Sequence, residues 1–169
     1  MKLTDGNQNV MLASKSGRAV RFEETQVRQM GRSAAGVRGM NINVEEGDRI
    51  VGMIVDNPQE EDKALLVISE NGFGKRSLVS EFRIIKRGGK GMKSMQVTDK
   101  TGQVIAVKNV NETDDLMITT KAGIMIRMKV ADIRVMGRAT QGVRVIKLGK
   151  DDAIADVAVI SLDLSLIHI

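Results

Sequence analysis

Short apolar runs separated by polar turns dominate the chain. Val10–Ala13, Leu65–Ile68 and Leu116–Thr119 are three such runs, and β-branched residues are common in them. No stretch shows the sustained 3.6-residue period of an amphipathic helix. The pattern therefore predicts a protein built from many short β-strands.

Three segments of the chain align with one another without a gap. Each has a glycine at a polar turn and a second glycine 19 residues later. The aligned segments are Val10–Met40, Leu65–Met95 and Leu116–Ile146. Successive repeats are offset by 55 and then 51 residues, and a period in this range is typical of propellers, solenoids and related arrays.

Each repeat contains the pattern of four short strands. The first apolar run is followed by a second one, then by alternating apolar residues beyond the second glycine, and then by a closing run. The later strands are predicted at positions such as Ala19–Phe22, Ile124–Met128, Val37–Val44, Val143–Leu148, Ile50–Val55, Val104–Val107 and Ile154–Ile160. Four strands per repeat predict an all-β, propeller-like array of four-stranded blades.

The repeated glycines are predicted to be structural. At the turn positions they allow a positive φ, and at the later positions they mark a bulge or a close approach of two backbones. The turn glycines are Gly17, Gly72 and Gly123, and the later ones are Gly36, Gly91 and Gly142. The blades are predicted at about residues 8–57, 63–111 and 114–161.

Composition excludes several classes of function. The chain has 169 residues with 42% hydrophobic and 28% charged residues, no Cys, Tyr or Trp, and a single His. Thiol catalysis, thiolate metal sites and a His-based triad are therefore not expected. No apolar run has the length of a membrane span and no signal peptide is recognisable. We expect a soluble cytoplasmic protein without a catalytic residue, a metal or another cofactor of its own.

Basic residues recur at four fixed positions after each turn glycine, at 4, 11, 15 and 21 residues. The first column is Arg21, Arg76 and Arg127, the second Arg28, Arg83 and Arg134, the third Arg32, Arg87 and Arg138, and the fourth Arg38, Lys93 and Arg144. Equivalent positions on stacked repeats form a stripe along the array. Arginine also suits bidentate contact with phosphate.

Acidic residues avoid this stripe. The windows 17–38, 72–93 and 123–144 hold 17 of the 26 Lys and Arg but only 4 of the 21 Asp and Glu, so their net charge is +13. The rest of the chain carries −8, with acidic clusters such as Glu45–Asp48 and Glu60–Asp62 between the windows. Scattered surface ion pairs would mix the two signs, whereas a stripe of one sign favours an anionic polymer as ligand.

The most basic loop, KRGGKG at residues 86–91, has the appearance of a nucleotide-binding loop. It lacks the Gly-Lys-Ser/Thr ending of a Walker loop, and no helix is predicted after it. It is the middle copy of a loop that reads MGRSAAG and MGRATQG in the other repeats. Lys86 and Lys90 are therefore added to the predicted phosphate contacts, and the loop glycines would let backbone N–H groups approach phosphate.

The motifs SGRAVRF, GRSAAGVRGM, NGFGKRS and VMGRATQGVRVI resemble the C-terminal domain of DNA gyrase A over about residues 1–160. The resemblance implies a β-pinwheel in which neighbouring blades exchange a strand, here an incomplete one of three blades where six are usual. It implies that double-stranded DNA wraps around a rim formed by the basic columns. In the whole protein it implies a heterotetramer of two A and two B subunits, which uses ATP and Mg²⁺ held elsewhere to supercoil DNA negatively at the bacterial nucleoid.

The sequence departs from the family in two respects. IIKRGGKG resembles the gyrase-specific box but lacks its initial glutamine and lies in a later blade, so only phosphate contact is expected of it. Strand passage uses a tyrosine nucleophile and this chain has no tyrosine, so it cannot perform that step. The regular repeats favour gyrase over topoisomerase IV, whose corresponding C-terminal domain is more degenerate.

Two other functions remain open alternatives. One is a propeller that docks an acidic protein through its basic face. The other is an enzyme that uses an adjacent acid pair, Asp114–Asp115 or Asp151–Asp152.

The last residues, 162–169, lack the repeat pattern and are predicted to be a non-native tail. Because three blades do not close a six-blade ring, we expect exposed strand edges and a chain that is marginally stable or self-associating.

Overall fold

The computed structural model describes residues 1–59 and 63–161, and the predicted tail at 162–169 lies outside them. Within these ranges the chain forms eleven strands and no α-helix. The strands are β1 Asn9–Ser14, β2 Arg18–Glu23, β3 Ile50–Asp56, β4 Ala64–Ser69, β5 Phe73–Leu78, β6 Met92–Lys93, β7 Val104–Val110, β8 Asp115–Thr120, β9 Met125–Lys129, β10 Val143–Arg144 and β11 Ile154–Ile160. In every repeat a 3-10 turn follows the second strand, at Glu24–Gln26, Val79–Glu81 and Val130–Asp132.

The strands form three antiparallel sheets that share strands between repeats. Their orders are β3-β1-β2-β6, β7-β4-β5-β10 and β11-β8-β9. The outer strand of the first sheet, β6, comes from the second repeat, where Lys93 pairs with Arg18. Likewise β10, from the third repeat, completes the second sheet by pairing Arg144 with Phe73. The all-β blade array with exchanged strands is therefore confirmed.

The prediction of a strand at Val37–Val44 is wrong for the first repeat. Its counterparts, β6 and β10, are strands because each pairs with the second strand of the preceding sheet. No described sheet precedes the first repeat, so residues 37–43 have no strand to pair with and lie in an irregular conformation. For the same reason the third sheet has three described strands, since no described repeat follows it.

The hydrophobic core lies between successive sheets. One cluster joins the first and second sheets through residues such as Met11, Ile54 and Leu65. A second cluster joins the second and third sheets, with Leu66 and Ile118 among its members. All six residues of β4 are buried because both faces of the middle sheet are covered.

The closing strands of the three sheets lie against one another. β3 contacts β7, and β7 contacts β11. A Cβ added to Gly52 on β3 would lie 2.9 Å from the carbonyl oxygen of Val107 on β7, so this approach requires glycine. These strands form one edge of each sheet, and β6 and β10 form the opposite edge of theirs. The basic columns lie on or near that opposite edge.

Candidate nucleic-acid interface

The first basic column lies in the joints between sheets. Arg21 projects from β2 and donates through Nε (3.1 Å) and Nη2 (2.5 Å) to Oδ2 of Asp56, and through Nη1 to the carbonyl of Phe82 in the next repeat (3.1 Å). Arg76, on β5, is 8% exposed and donates through Nε to the carbonyl of Ile133 at 2.7 Å. These contacts fasten one repeat to the next.

Arg21 and Arg76 are therefore removed from the predicted DNA contacts. Their guanidinium groups are committed to protein acceptors, and the Arg21 side chain is only 13% exposed. Arg127, the third member of the column, is bound to Asp115 at 2.8 Å but is 52% exposed, because no described repeat follows to cover it. The position of these arginines on their strands could not predict which of them are buried, because the neighbouring sheet determines which face of a strand is covered.

The second column is exposed in every repeat. Arg28, Arg83 and Arg134 each lie two residues after a 3-10 turn, and their side chains make no hydrogen bond to another residue in the described ranges. The 3-10 turn ends β2, β5 or β9 in the same way each time, so it presents the three guanidinium groups at equivalent points. These groups have free donors for an external anion.

The third column holds the backbone of the preceding repeat. Arg87 donates through Nη1 to the carbonyl of Arg38 (2.5 Å) and through Nε to the carbonyl of Gln26 (3.2 Å). Arg138 donates through Nη1 to the carbonyl of Lys93 at 3.0 Å. Each of these guanidinium groups is partly exposed and retains further donors. Arg32, in the first repeat, is exposed.

The fourth column is exposed at the outer edge of the sheets. Lys93 and Arg144 lie on β6 and β10, the last strands of their sheets, and Arg38 occupies the same place in the first repeat. The guanidinium of Arg144 also lies over the Phe73 ring, 5.5 Å from its centroid. Because the third column bonds to the backbone of the fourth, cations of two repeats meet at each joint.

The loop at residues 86–91 exposes both of its lysines, Lys86 and Lys90. Lys90 lies beside a cleft whose other lining residues include Arg18 and Asp48. The expected approach of loop N–H groups to phosphate is wrong at Gly88, whose N–H already donates to the carbonyl of Gly39 at 2.8 Å.

The later glycines support close backbone contacts. Gly91 has a φ of 78°, and a Cβ there would clash with the carbonyl oxygen of Ala19. Gly142 has a φ of 82°, and a Cβ there would lie 2.7 Å from the carbonyl oxygen of Gly74. The turn glycines Gly17, Gly72 and Gly123 and the first later glycine, Gly36, also have positive φ. All six thus adopt the left-handed conformation that glycine tolerates best.

Lys75 is a functional candidate that sequence reasoning missed. It is fully buried, and its ammonium group donates to the carbonyls of Gly137 (2.8 Å) and Arg138 (2.5 Å) and to Oγ1 of Thr140 (3.3 Å). Burial lowers its pKa from 10.5 to about 8, partly offset by Glu81, and Arg138 lowers it further. Lys75 thereby anchors the loop that presents Arg138.

A signal for Lys75 was present in the sequence. The equivalent positions, three residues after the turn glycine, hold Val20 and Ile126. A lysine in an otherwise apolar column marks a buried cation. Gln26 was also missed, although its side chain accepts from the N–H of Arg87 (2.7 Å) and donates to the carbonyl of Ile85 (3.3 Å). No sequence pattern indicated that role.

Three of the four acids of the enzyme alternative form hydrogen bonds or ion pairs within the fold. Asp114 accepts from the N–H of Asn111 at 2.8 Å, and Asp115 is bound to Arg127. Asp152 accepts from the N–H groups of Ala122 and Ala153, at 3.0 and 2.8 Å. Among the described residues there is no cluster of three potential metal ligands, and no helix with the length and hydropathy of a membrane span.

The model of the DNA gyrase C-terminal domain, a β-propeller, matches residues 8–55, 63–111 and 114–161. The DNA gyrase A protein of Staphylococcus epidermidis is 43% identical over 158 residues, which are 94% of this chain and 17% of that protein. The chain thus spans less than a fifth of the length of this relative.

Solved structures agree with the sequence relatives. A DNA gyrase A C-terminal domain superposes with a TM-score of 0.82 at 30% identity, over 94% of this chain and 52% of that one. The C-terminal domain of a DNA topoisomerase IV superposes with a TM-score of 0.84 at 26% identity, over 94% of this chain and 48% of that one.

Proposed function

The chain belongs to the DNA gyrase C-terminal β-propeller domain family, and on that premise we propose that it is a DNA-binding and DNA-wrapping module of a gyrase A protein. One observation carries the proposal. Exposed cations recur at equivalent points of successive repeats, and the three windows that hold them contain 17 Lys and Arg against 4 Asp and Glu. One of these acids, Glu81, lies at the second joint, where it accepts from the N–H of Arg138 at 3.4 Å. Such an arrangement is electrostatically unfavourable unless a polyanion lies across it.

The proposed binding surface consists of the exposed and partly exposed members of the columns, with the two lysines of the middle loop. It comprises Arg28, Arg32, Arg38, Arg83, Lys86, Arg87, Lys90, Lys93, Arg127, Arg134, Arg138 and Arg144. These groups would contact backbone phosphates, which carry no sequence information directly. Because the repeats are offset around an array, a duplex that follows the cations must bend, and any sequence preference arises from the ease of bending.

The whole protein is proposed to be an ATP-dependent topoisomerase that supercoils DNA negatively. This chain would hold one DNA segment for strand passage elsewhere in an assembly of two A and two B subunits. ATP and Mg²⁺ would be held by other parts of that assembly, in the bacterial cytoplasm at the nucleoid. Among the solved structures, identity is 30% to the gyrase A domain and 26% to the topoisomerase IV domain, and the sequence relative at 43% identity is a gyrase A protein, which favours gyrase.

Titration of a duplex with this chain at several salt concentrations tests the proposal. Each phosphate contact contributes about −0.9 to the slope of log K against log salt, so six contacts give a slope of roughly −5. Replacing Arg28, Arg83 and Arg134 together with Gln should make the slope shallower by about 2.7. This column is preferred over the third because Arg87 and Arg138 also hold the neighbouring repeat.

A matched control removes the same charge elsewhere. Lys108, Lys121 and Lys150 are exposed and lie outside the three basic windows. Changing these three to Gln should leave the slope nearly unchanged. Equal effects of the two triple variants would show that net charge, and not the columns, determines binding. A response independent of salt, together with tight binding to an acidic protein, would favour the protein-docking alternative.

A further inference from the structure

Two buried polar side chains of β5 hold the loop that carries Arg138. Lys75 and Ser77 are two residues apart on this strand and are both fully buried, so they lie on the same face of it. The hydroxyl of Ser77 donates to the carbonyl of Met136 at 3.0 Å. The ammonium of Lys75 donates to the carbonyls of the next two residues, at 2.8 and 2.5 Å. Three consecutive carbonyls of the 136–140 loop are thus bound to side chains of the preceding repeat.

The 136–140 loop closes on itself around the ammonium group. Thr140 donates to the carbonyl of Gly137 through its N–H at 3.2 Å and through its hydroxyl at 2.8 Å. The same hydroxyl oxygen accepts from Lys75 at 3.3 Å. A buried charge is costly unless it is hydrogen-bonded, and the three oxygens of the loop match the three N–H groups of the ammonium. The conformation of the loop and the burial of the ammonium therefore depend on each other.

The joint between the first and second repeats is built differently. The positions equivalent to Lys75 and Ser77 hold Val20 and Phe22, which are buried and pack against Ile85. Apolar packing is non-directional, whereas a hydrogen bond requires its acceptor at a given distance and angle. The joint between the second and third repeats therefore fixes the direction of its loop carbonyls through buried polar side chains.

Arg138 is held from three sides at this second joint. Its N–H donates to Oε1 of Glu81 at 3.4 Å, and its carbonyl accepts from Lys75. Its guanidinium donates through Nη1 to the carbonyl of Lys93 at 3.0 Å. Lys93 is an exposed member of the fourth column. The backbone contacts thus place the remaining guanidinium donors of Arg138 next to another exposed cation.

On the premise that the chain binds DNA, we propose that Lys75 is a positioning residue for that binding. Its ammonium group, which is closed off from solvent, fixes the conformation of the 136–140 loop and thereby directs the Arg138 guanidinium towards a phosphate at the second joint. Lys75 makes no phosphate contact itself. Without the ammonium, the loop oxygens lose their donor on β5, so the contact is lost although the arginine is still present.

A double-mutant cycle with Arg138 tests the proposal. Lys75→Met should weaken duplex binding at about 0.1 M salt by roughly eightfold, which is the effect of one phosphate contact at about −0.9 in the salt slope. Arg138→Gln should give a similar loss. The two changes together should weaken binding little more than either alone, because Lys75 acts through Arg138. Additive losses would mean that the charge of Lys75 attracts DNA independently, and would overturn the proposal.

Arg28 provides the matched control for this cycle. It is an exposed cation of the first repeat with free donors, so Lys75→Met should weaken binding by the full factor in the Arg28→Gln variant as well. Lys108→Met removes one exposed lysine outside the basic windows and should leave the affinity nearly unchanged. Circular dichroism verifies that each variant folds.

The pH dependence of the unmodified chain gives a second measurement that needs no variant. Burial lowers the pKa of Lys75 to about 8, while Glu81 raises it and Arg138 lowers it further, and these are the charged groups that act on the ammonium. The ammonium therefore loses its proton above this pH, and duplex affinity should fall about 4–5-fold between about pH 7 and 9. Lys75→Met should lack this fall. An affinity of the unmodified chain that stays constant over this range would overturn the proposal.

Failure of the DNA-wrapping function has a different signature. Absence of salt-dependent duplex binding by the unmodified chain would overturn both that function and the role of Lys75. Steep salt dependence in the unmodified chain, with equally tight binding by Lys75→Met, would overturn the role of Lys75 alone.

Discussion

At the scale of single residues, the same sequence column has different roles in different repeats. Arg21 lies at the joint between the first and second repeats, where it contacts Asp56 and Phe82, whereas Arg127 lies in a sheet that no described repeat follows. The alignment identified the column correctly, but alternation along a strand does not show which face a neighbouring sheet will cover. The recurrence of these arginines was therefore predictable, and their burial was not.

The ion pair of Arg21 should contribute far more to stability than that of Arg127. Arg21→Met leaves the buried Asp56 carboxylate without its partner, which should lower the free energy of unfolding by about 3–5 kcal/mol. Arg127→Met removes a half-exposed partner and should cost less than about 1 kcal/mol. Urea denaturation measures both values.

A double variant verifies that the loss comes from the uncompensated charge. Combining Arg21→Met with Asp56→Leu should recover much of the stability, because no buried charge then remains at the site. Equal losses in Arg21→Met and Arg127→Met would contradict the assignment of Arg21 to the joint.

The buried ammonium of Lys75 should make stability depend on pH in the alkaline range. Its pKa is about 8 in the folded chain and 10.5 in the unfolded chain, so the unfolded state binds more protons between these values. Stability should therefore rise from pH 8 to 10.5, by up to roughly 3 kcal/mol. Below pH 8 this contribution should be constant.

Denaturant unfolding over this pH range, compared with Lys75→Met, isolates the effect from other titrating groups. The variant should lack the rise that the unmodified chain shows. Parallel pH profiles for the two proteins would show that the ammonium group is not destabilised by burial.

At the scale of elements, the strands were predictable where their pairing is local. β1 and β2, or β8 and β9, join across a glycine turn, and their apolar patterns located them within about one residue. The strand beyond the second glycine was different because it exists only where a second strand of the preceding repeat is present. Residues 37–43 have the right pattern and no partner sheet, so pattern alone overpredicted a strand there.

The exchanged strand β6 should be sensitive to the residue before it. Gly91→Ala adds a methyl group that clashes with the Ala19 carbonyl oxygen, at a φ of 78°. The left-handed conformation costs about 1–2 kcal/mol, and the forced backbone shift adds about 1–3 kcal/mol. Gly47→Ala, at a φ of 87° with open space, should show only the first cost.

Chemical denaturation of the two glycine variants gives this comparison. The difference between them reports the close contact of β6 with β2, because the conformational strain is common to both. Equal destabilisation would mean that the joint adapts without cost.

At the scale of the whole molecule, the modest net charge of +5 conceals a separation of charge. The basic windows carry +13 and the remainder carries −8. This separation of charge could be predicted from the sequence, because aligned positions of successive repeats lie at equivalent points in the structure. The contacts at the joints could not be predicted from the sequence, because hydrogen bonds such as that from Arg87 to the Arg38 carbonyl depend on how the sheets stack.

Repulsion among the exposed cations should make the DNA-free chain more stable as salt rises. The Debye length falls from about 30 Å at 0.01 M to about 8 Å at 0.15 M, which screens like charges at the joints. Tm should therefore increase over this range. The triple variant of Arg28, Arg83 and Arg134 should show a smaller increase.

With duplex DNA bound, the Tm of the chain should instead fall as the salt concentration rises. The duplex stabilises the folded chain most at low salt, where its affinity is highest. Thermal unfolding with and without DNA at both salt concentrations separates the two effects. A Tm that falls with salt in the absence of DNA would contradict the proposed repulsion.

Strand exchange also fixes an order of events during synthesis. When β2 leaves the ribosome, the chain that will complete its sheet, Met92–Lys93, has not yet been translated. Neither of the first two repeats can finish folding before its successor has been made. A ribosome that stalls within the second repeat therefore holds a nascent chain with an open sheet edge, of the kind that chaperones shield from aggregation.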